Sequence, residues 1–502
     1  MPGKSRLGIA NGVATREIRP GSEFAELVKG GGGTASRLDA MPTLKLYDTA
    51  HGRLMEVTPR IAGEFSMYNC GPTVYGLPHL GHGRYALTYD VLRRYLEWTG
   101  LTVRHAQNVT DVDDKIIQRA RDEGRSTKEV CDQYEAEWWR VMDRMGLLRP
   151  TDQPHATAYI EQMVSLISEL INRGAAYETS DGVYFAASFV ADYGLLARQT
   201  IESLQAGGSG RVETNDEKRN PVDFALWKKT PDPVDTPNWP SPWGAGRPGW
   251  HTECVVMSLD ILGEGFDLHS GGLDLSFPHH ENERAQAVAW GRPFARHWIH
   301  NGFVEVAGEK MGKSLGNFTN LVDLLEKTDP RAYRLLVLRS HYRSPIEVTP
   351  PIIQEAETTL ARIDAFARRM GGSPTSAFGR NATSMLDGPS IDAFDQAMSN
   401  DLDTPSSMAI VFDLIRRANA AFDGGEEGEA RRLGETALEI SGALGLFAAG
   451  SDDGDDAALN LAAALDQARA SKDFGAADTL RTQLQSDGWT VETTKAGTRI
   501  YR

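Results

Sequence analysis

Apolar positions change their period several times along the chain, and each change outlines an element. From about residue 43 the apolar residues come in short strand-like stretches. Glu64 to Cys70 runs into the Gly71-Pro72 turn and reads as a strand, with a loop following up to Gly83. Tyr85, Tyr89, Leu92 and Leu96 then recur at helical spacing and Gly100 stands where a carboxyl-terminal cap belongs, after which Leu101 to Val109 returns to a strand pattern. The three segments make a βαβ unit. Residues 127–173 carry two helical patterns, and Ser180-Asp181-Gly182 turns between Ala176-Tyr177 and Val183-Tyr184-Phe185 as a hairpin, so this region reads as an insertion. A Pro- and Trp-rich loop, Pro231 to Trp250, leads back to strand and helix patterns over 251–300, where the second half of the sheet is expected. Beyond Pro350 the period is helical. Segments 351–370, 391–422 and 427–447 suit an antiparallel bundle with Asp403-Thr404-Pro405 as a helix start. A helix over 458–486 and a hairpin about Ala496-Gly497 close the chain.

These patterns predict an α/β protein: a Rossmann-type doubly wound parallel sheet with an inserted domain, then an α-helical bundle and a small carboxyl-terminal α+β domain. Residues 1–42 contain a Gly30 to Gly33 run, mixed charge and few large apolar side chains, so no packed structure is expected there. With 502 residues, 24% of them charged, the chain has room for several domains. No apolar run approaches the roughly 18 residues needed to span a bilayer, and the first residues lack the layout of a secretory signal; a cytoplasmic protein without a membrane partner is expected. Three cysteines cannot build a disulfide framework, which leaves thiols for metal in a reducing compartment. The net charge of -16 argues against indiscriminate nucleic-acid binding, yet the tail from Gln467 carries six Lys or Arg against four Asp or Glu and is mildly basic.

Three short motifs carry chemistry. Pro78-His79-Leu80-Gly81-His82 lies between a strand and a helix, where open backbone amides and the helix dipole favour a phosphate; His79 and His82 can donate to it, and Gly81 permits a close approach. Lys310-Met311-Gly312-Lys313-Ser314-Leu315-Gly316-Asn317 is a glycine-bearing loop whose two ammonium groups suit charge that builds up during attack on a phosphate. His279 and Glu283 are four apart, so one helix face can bring imidazole and carboxylate to one ion, although the same spacing also describes an ordinary solvated face.

His79 to His82 and Lys310 to Ser314 resemble the paired nucleotide signatures of class I aminoacyl-tRNA synthetases, in order and on either side of an insertion. Within that class, Tyr68 to Tyr75, Asn108 to Lys115, Gly249 to Cys254 and Phe277 to Glu283 resemble cysteinyl-tRNA synthetases, and the similarity runs from about residue 43 to the carboxyl terminus. The resemblance implies activation of L-cysteine by ATP, with Mg2+, and transfer to the 3′ end of tRNA(Cys). It implies one zinc ion (Zn2+) held by Cys70, Cys254, His279 and Glu283, which selects a thiol over the hydroxyl of serine without an editing domain. His79, His82, Lys310 and Lys313 take the catalytic positions, and Gly271, Gly272, His79, His82 and Lys313 face ATP. Thr110, Trp250, His251 and His269 belong to the cysteine pocket.

The same resemblance divides the chain into 1–42 as an extension, 43–126 with 245–305 as the catalytic domain, and 127–244 as the connective insertion. Residues 306–349 form a stem-contact region with the lysine loop, 350–450 a tRNA-binding bundle, and 451–502 an acidic linker with a small anticodon-binding domain. A monomer is expected. Gly312 departs from the family pattern, which has serine there, so a hydroxyl is missing from a loop whose two lysines remain. Two other readings share these motifs: a ligase that passes activated cysteine to an amino sugar, and a non-catalytic RNA-binding paralogue.

Overall fold

The computed structural model describes residues 43–201, 203, 217–230, 236–306, 309–310, 320–370, 386–446, 456–494 and 497–501. The expected unstructured extension, Gly312, Lys313 and most of the acidic linker lie outside the described residues. A hairpin of β1 (Lys45–Asp48) and β2 (Arg53–Glu56) comes first, with Asp48 opposite Arg53. It is followed by β3 (Glu64–Asn69), α1 (Leu80–Trp98) and β4 (Thr102–Gln107), with β3 and β4 parallel, which is the βαβ unit expected from the apolar period. Alternation along β3 supplies both faces of the sheet. Phe65 and Met67 enter one core with Leu87, Leu92 and Leu96 of α1, while Tyr68 and Cys70 enter another. Gly100 ends α1 with φ of 99°, a conformation that costs glycine little, and the Leu101 N–H returns to the Leu96 carbonyl at 3.1 Å.

Next come α2 (Asp114–Glu123), α3 (Thr127–Arg144) and α4 (Ile160–Asn172). The predicted hairpin is β5 (Ala176–Glu178) with β6 (Gly182–Phe185), and it belongs to a larger antiparallel sheet with β7 (Phe224–Lys229) and β8 (Gly246–Pro248). α5 (Trp250–Leu262), β9 (Leu268–Gly272), α6 (Glu281–Trp290) and β10 (His297–Asn301) return to the main sheet. Its order is β10-β9-β3-β4, all parallel. The chain winds outward in both directions from β3 and β9, so a crevice opens at the carboxyl ends of these two strands, where doubly wound sheets hold ligands.

β11 (Val304–Val306), β12 (Glu309–Lys310) and β13 (Ile346–Glu347) form a small sheet, with α7 (Leu321–Lys327) and α8 (Pro330–Leu338) between its last two strands. The bundle holds α9 (Pro350–Arg369), α10 (Gly388–Ser399), α11 (Thr404–Asp423) and α12 (Glu427–Ala443). The helical segment expected over 391–422 breaks at Asp401 and Leu402, both left-handed, and restarts at the expected Asp403-Thr404-Pro405, where Asp403 caps α11. Tyr47 N–H and the Tyr342 hydroxyl each reach Asp401 Oδ1 at 2.8 Å, and Arg343 pairs with Oδ2, so fixed partners hold the break. The single helix expected over 458–486 is also two, α13 (Asp456–Ala470) and α14 (Phe474–Ser486). Lys472 turns left-handed, and Asp473 caps α14 at the Ala476 N–H. β14 (Thr490–Thr494) and β15 (Gly497–Tyr501) make the terminal hairpin, with Trp489 buried in its core. Among the described residues no helix is long and apolar enough to cross a membrane.

The main sheet and the bundle are joined by buried charge. Arg334 of α8 reaches Asp90 of α1 at 2.6 Å, Arg94 reaches the same carboxylate oxygen at 2.8 Å, and the Leu148 N–H occupies the other oxygen. Arg334 also donates to the Leu444 carbonyl just after α12. Burial opposes ionisation of Asp90, but Arg334 and Arg94 outweigh it and hold the carboxyl below its ordinary value. The stabilisation is therefore complete above the unfolded carboxylate range and is lost as pH falls below it. Asp90→Ala should destabilise the protein by about 3–5 kcal/mol, because two buried guanidinium groups lose their partner. Thermal unfolding at neutral and acid pH checks this; the loss should shrink on acidification, and an unchanged neutral midpoint would contradict it.

Candidate active site and metal centre

Two sets of side chains meet at the carboxyl ends of β3 and β9. The first surrounds the start of α1. His79 Nδ1 accepts the His82 N–H at 3.3 Å and His82 Nδ1 accepts the His79 N–H at 3.2 Å, a reciprocal cap. In the neutral rings this leaves the proton on Nε2, the tautomer that donates to an anion. The rings stack at 3.6 Å, and a Cβ at Gly81 would come within 3.0 Å of the His79 ring. Asn320 bridges His79, and the Leu321 N–H donates to the Pro78 carbonyl at 3.2 Å.

The second set is buried. Cys70 follows β3, Cys254 lies on α5, His279 lies in the turn Ser276–His280 that leads into α6, and Glu283 is in the first turn of α6. One donor atom from each of the four falls within 4.8 Å of the others. Cys70 Sγ is 3.7 Å from Cys254 Sγ and 3.4 Å from Glu283 Oε1; Cys254 Sγ is 3.7 Å from His279 Nε2, which is 2.9 Å from Glu283 Oε1. A tetrahedron with zinc–sulfur bonds near 2.3 Å and zinc–nitrogen bonds near 2.0 Å has sulfur–sulfur edges of about 3.8 Å and sulfur–nitrogen edges of about 3.5 Å. The spacing and the soft donors both fit such an ion. Cys70, His269, His280 and Glu283 also lie within 4.8 Å, so two donor sets share Cys70 and Glu283.

Charge strain points the same way. Burial pushes the Cys70 thiol well above its ordinary range, and the Cys254 sulfur and Glu283 carboxylate push it further. Burial also opposes a Cys254 thiolate and a Glu283 carboxylate, yet Cys70 and His279 draw the first down and His269 and His279 hold the second well below its usual value. Burial opposes a charged His279, but Glu283 and Cys254 raise it. Without a cation this cluster cannot ionise all its donors at once; a divalent ion allows it.

The surrounding residues fix the donors. The Tyr85 hydroxyl donates to the Cys70 carbonyl at 2.7 Å, and Asn108 Oδ1 accepts the Gly71 N–H at 2.8 Å. A Cβ at Gly71 would fall 1.6 Å from the Asn108 carbonyl oxygen, so that turn requires glycine. His279 Nδ1 lies 2.9 Å from His251 Nδ1, and His269 Nε2 lies 2.7 Å from Glu283 Oε2. Trp250 stacks on His279 at 3.9 Å. A cavity of about 490 Å3 opens beside the cluster, lined by Val112, Lys115, Phe224, Trp250, His251 and His279 among others. Thr110 is buried behind it, donating to Glu253 Oε2 at 2.7 Å, and His269 is fully buried against Glu283. Gly271 and Gly272 end β9, and a Cβ at Gly271 would meet the His280 ring at 2.8 Å.

Comparison with known proteins agrees with this geometry. Residues 56–358 match the family model described as tRNA synthetases class I (C) catalytic domain, and residues 393–448 match the DALR domain. A cysteine–tRNA ligase of Acinetobacter baumannii is 39% identical over 473 residues, covering 91% of this chain and 99% of that protein. One from Synechococcus elongatus is 42% identical, covering 89% and 97%. The chain belongs to the cysteine–tRNA ligase family. Among solved structures, Mycobacterium tuberculosis methionyl-tRNA synthetase with methionyl-adenylate superposes with a TM-score of 0.55 at 16% identity, covering 76% of this chain and 90% of that one. The Agrobacterium radiobacter agnB2 LeuRS–tRNA–LeuAMS complex gives 0.55 at 12% identity, with 78% and 84% covered; at such identities the shared feature is the fold.

Tyr85, Asn108, Glu253 and His280 stand in this site, and the sequence pointed to no role for them. Asn108, Glu253 and His280 stood within motifs already singled out, and the doubled histidine before Glu281 was the available signal. Tyr85 was read only as an apolar helix position. Cys70→Ala and Cys254→Ala should each lose the bound metal, measured by elemental analysis after dialysis of folded protein. A full equivalent retained by either variant would contradict the shared donor set.

Proposed function

We propose that this protein joins L-cysteine to ATP, forming cysteinyl adenylate and pyrophosphate, and then transfers the cysteinyl group to the terminal adenosine of tRNA(Cys). The observation that supports this most is the placing of a two-sulfur donor set and a phosphate-type helix start at the mouth of one crevice. Zinc, held by Cys70, Cys254, His279 and Glu283, would supply the Lewis acidity that favours a thiolate over a hydroxyl.

His79 and His82, each with its proton on Nε2, hold the triphosphate at the start of α1, and Mg2+ accompanies the nucleotide. Gly271 and Gly272 keep the end of β9 open to the adenosine. Attack of the substrate carboxylate on the α-phosphate places negative charge on its equatorial oxygens, which Lys310 and Lys313 reach from their loop, with pyrophosphate as the leaving group. Trp250 and His251 wall the amino-acid cavity, while Thr110 and His269 steady it from behind through Glu253 and Glu283. The bundle and terminal domain carry the rest of the tRNA, and the chain works as a cytoplasmic monomer.

Attachment of labelled cysteine to a tRNA(Cys) transcript by zinc-loaded protein with ATP tests the reading, with serine as competitor. Charging with cysteine alone is the expected result. Cysteine-dependent pyrophosphate release without charging would favour transfer to an amino sugar, and no release would favour a non-catalytic RNA-binding paralogue. Lys313→Ala should lower the rate of pyrophosphate exchange about 10²- to 10³-fold with metal content unchanged. An unaltered exchange rate would remove the loop from the chemistry.

A further inference from the structure

We propose that Thr49, His300 and His280 form a one-directional hydrogen-bond chain that ends on the Cys70 sulfur and sets its strength as a metal donor. This rests on the reading of Cys70 as a metal ligand. Three contacts make the chain: Thr49 Oγ1 to His300 Nδ1 at 2.7 Å, His300 Nε2 to His280 Nδ1 at 2.8 Å, and His280 Nε2 to Cys70 Sγ at 3.2 Å. His280, His300 and Cys70 are buried, and Thr49 is half-buried.

The direction follows from counting protons. A thiolate has only lone pairs to offer, so His280 Nε2 must carry the proton it shares with Cys70. A neutral His280 then accepts at Nδ1, which requires the proton of His300 on Nε2. His300 Nδ1 is left as an acceptor, and the Thr49 hydroxyl must donate. A doubly protonated His300 would make the Thr49 hydroxyl an acceptor instead, and burial opposes that state, with His300 lowered to about 3. The far end of the chain is fixed by the fold. The Thr49 N–H donates to the Trp298 carbonyl at 2.8 Å, which pins the turn after β1 to β10 two residues before His300. Trp298 and His300 share a face of β10. Trp298 stacks on His269 at 4.5 Å, and His269 holds Glu283. One strand thus steadies two donors, Cys70 through the histidine chain and Glu283 through the stacked ring.

An N–H donated to a thiolate withdraws electron density from sulfur and fixes which lone pair faces the ion. The ion keeps more Lewis acidity for an incoming sulfur ligand. If His280 were itself a ligand, as in the second donor set, its Nε2 would carry no proton and the chain would run backwards, with Thr49 accepting. Only one of the two arrangements also uses Cys254, and that one has the sulfur–sulfur edge of a tetrahedral site.

Cobalt(II) loaded into the full-length protein in place of zinc tests the chain without any activity assay. Wild type should bind one cobalt with a sulfur-to-metal absorption band. Thr49→Val, which keeps the shape and removes the hydroxyl, and His300→Ala should each weaken cobalt affinity about tenfold and move the band to lower energy. His280→Gln keeps an N–H near the Nε2 position and should retain the metal better than His280→Ala. Folded Thr49→Val protein with wild-type affinity and an unmoved band would overturn the chain. His280→Gln protein that loses the metal outright would make His280 a ligand and overturn it as well. A wild-type protein that binds no cobalt through sulfur would instead remove the metal site on which the proposal stands.

Discussion

Ionisable groups buried together without water impose the constraint around which this protein is arranged. Two thiols, a carboxylate and an imidazole occupy a space of under 4.8 Å between donor atoms, none with appreciable exposure. Such a cluster is costly by itself, since each charge loses its hydration. A divalent ion removes the conflict, because it lets every donor ionise and compensates the charge at close range. The hydrogen bonds around the cluster then serve to hold the donors where one ion can use them all.

That demand accounts for several features at a distance from the crevice. Tyr85 on α1 grips the Cys70 carbonyl while the same helix begins with the His79–His82 cap, so one rigid element sets the spacing between the buried donor cluster and that cap. β9 and β10 place His269, Trp298 and His300 behind the donors by simple alternation. Residues 45–55 of the β1–β2 hairpin precede the stretch matched by the family model of the catalytic domain, yet this hairpin brings Thr49 to His300 and Asp48 to His297. Asp90, Arg94 and Arg334 fasten this assembly to the bundle, whose DALR match places it within the same family architecture.

Much of this was legible before the structure. The βαβ unit followed from a clean switch between strand and helix periods, and its boundaries fell within a residue or two of β3 and β4. The His279–Glu283 spacing was legible as a donor pair, but the same spacing describes a solvated helix face, and it is the fold that brings Cys70 and Cys254 beside it. β8 was not legible, since the Pro- and Trp-rich run over 231–250 disguises a strand that pairs with β7 through backbone groups. The helix start at Asp403-Thr404-Pro405 was legible from its cap and proline, but the left-handed turn at Asp401 and the break at Lys472 were not, because non-glycine residues adopt that conformation there, held by tertiary partners or a following cap. The roles of Thr49 and His300 were hidden for a different reason: each is an ordinary residue in its own segment, and its function exists only across some 250 residues of chain.

X-ray absorption at the edge of the bound metal gives the most direct test of the central claim, that this buried donor set reads the sulfur of the substrate. Spectra would be recorded on the protein alone, with saturating L-cysteine and with saturating L-serine. The expected result is one additional sulfur neighbour with cysteine and none with serine. A sulfur shell left unchanged by cysteine would contradict the claim.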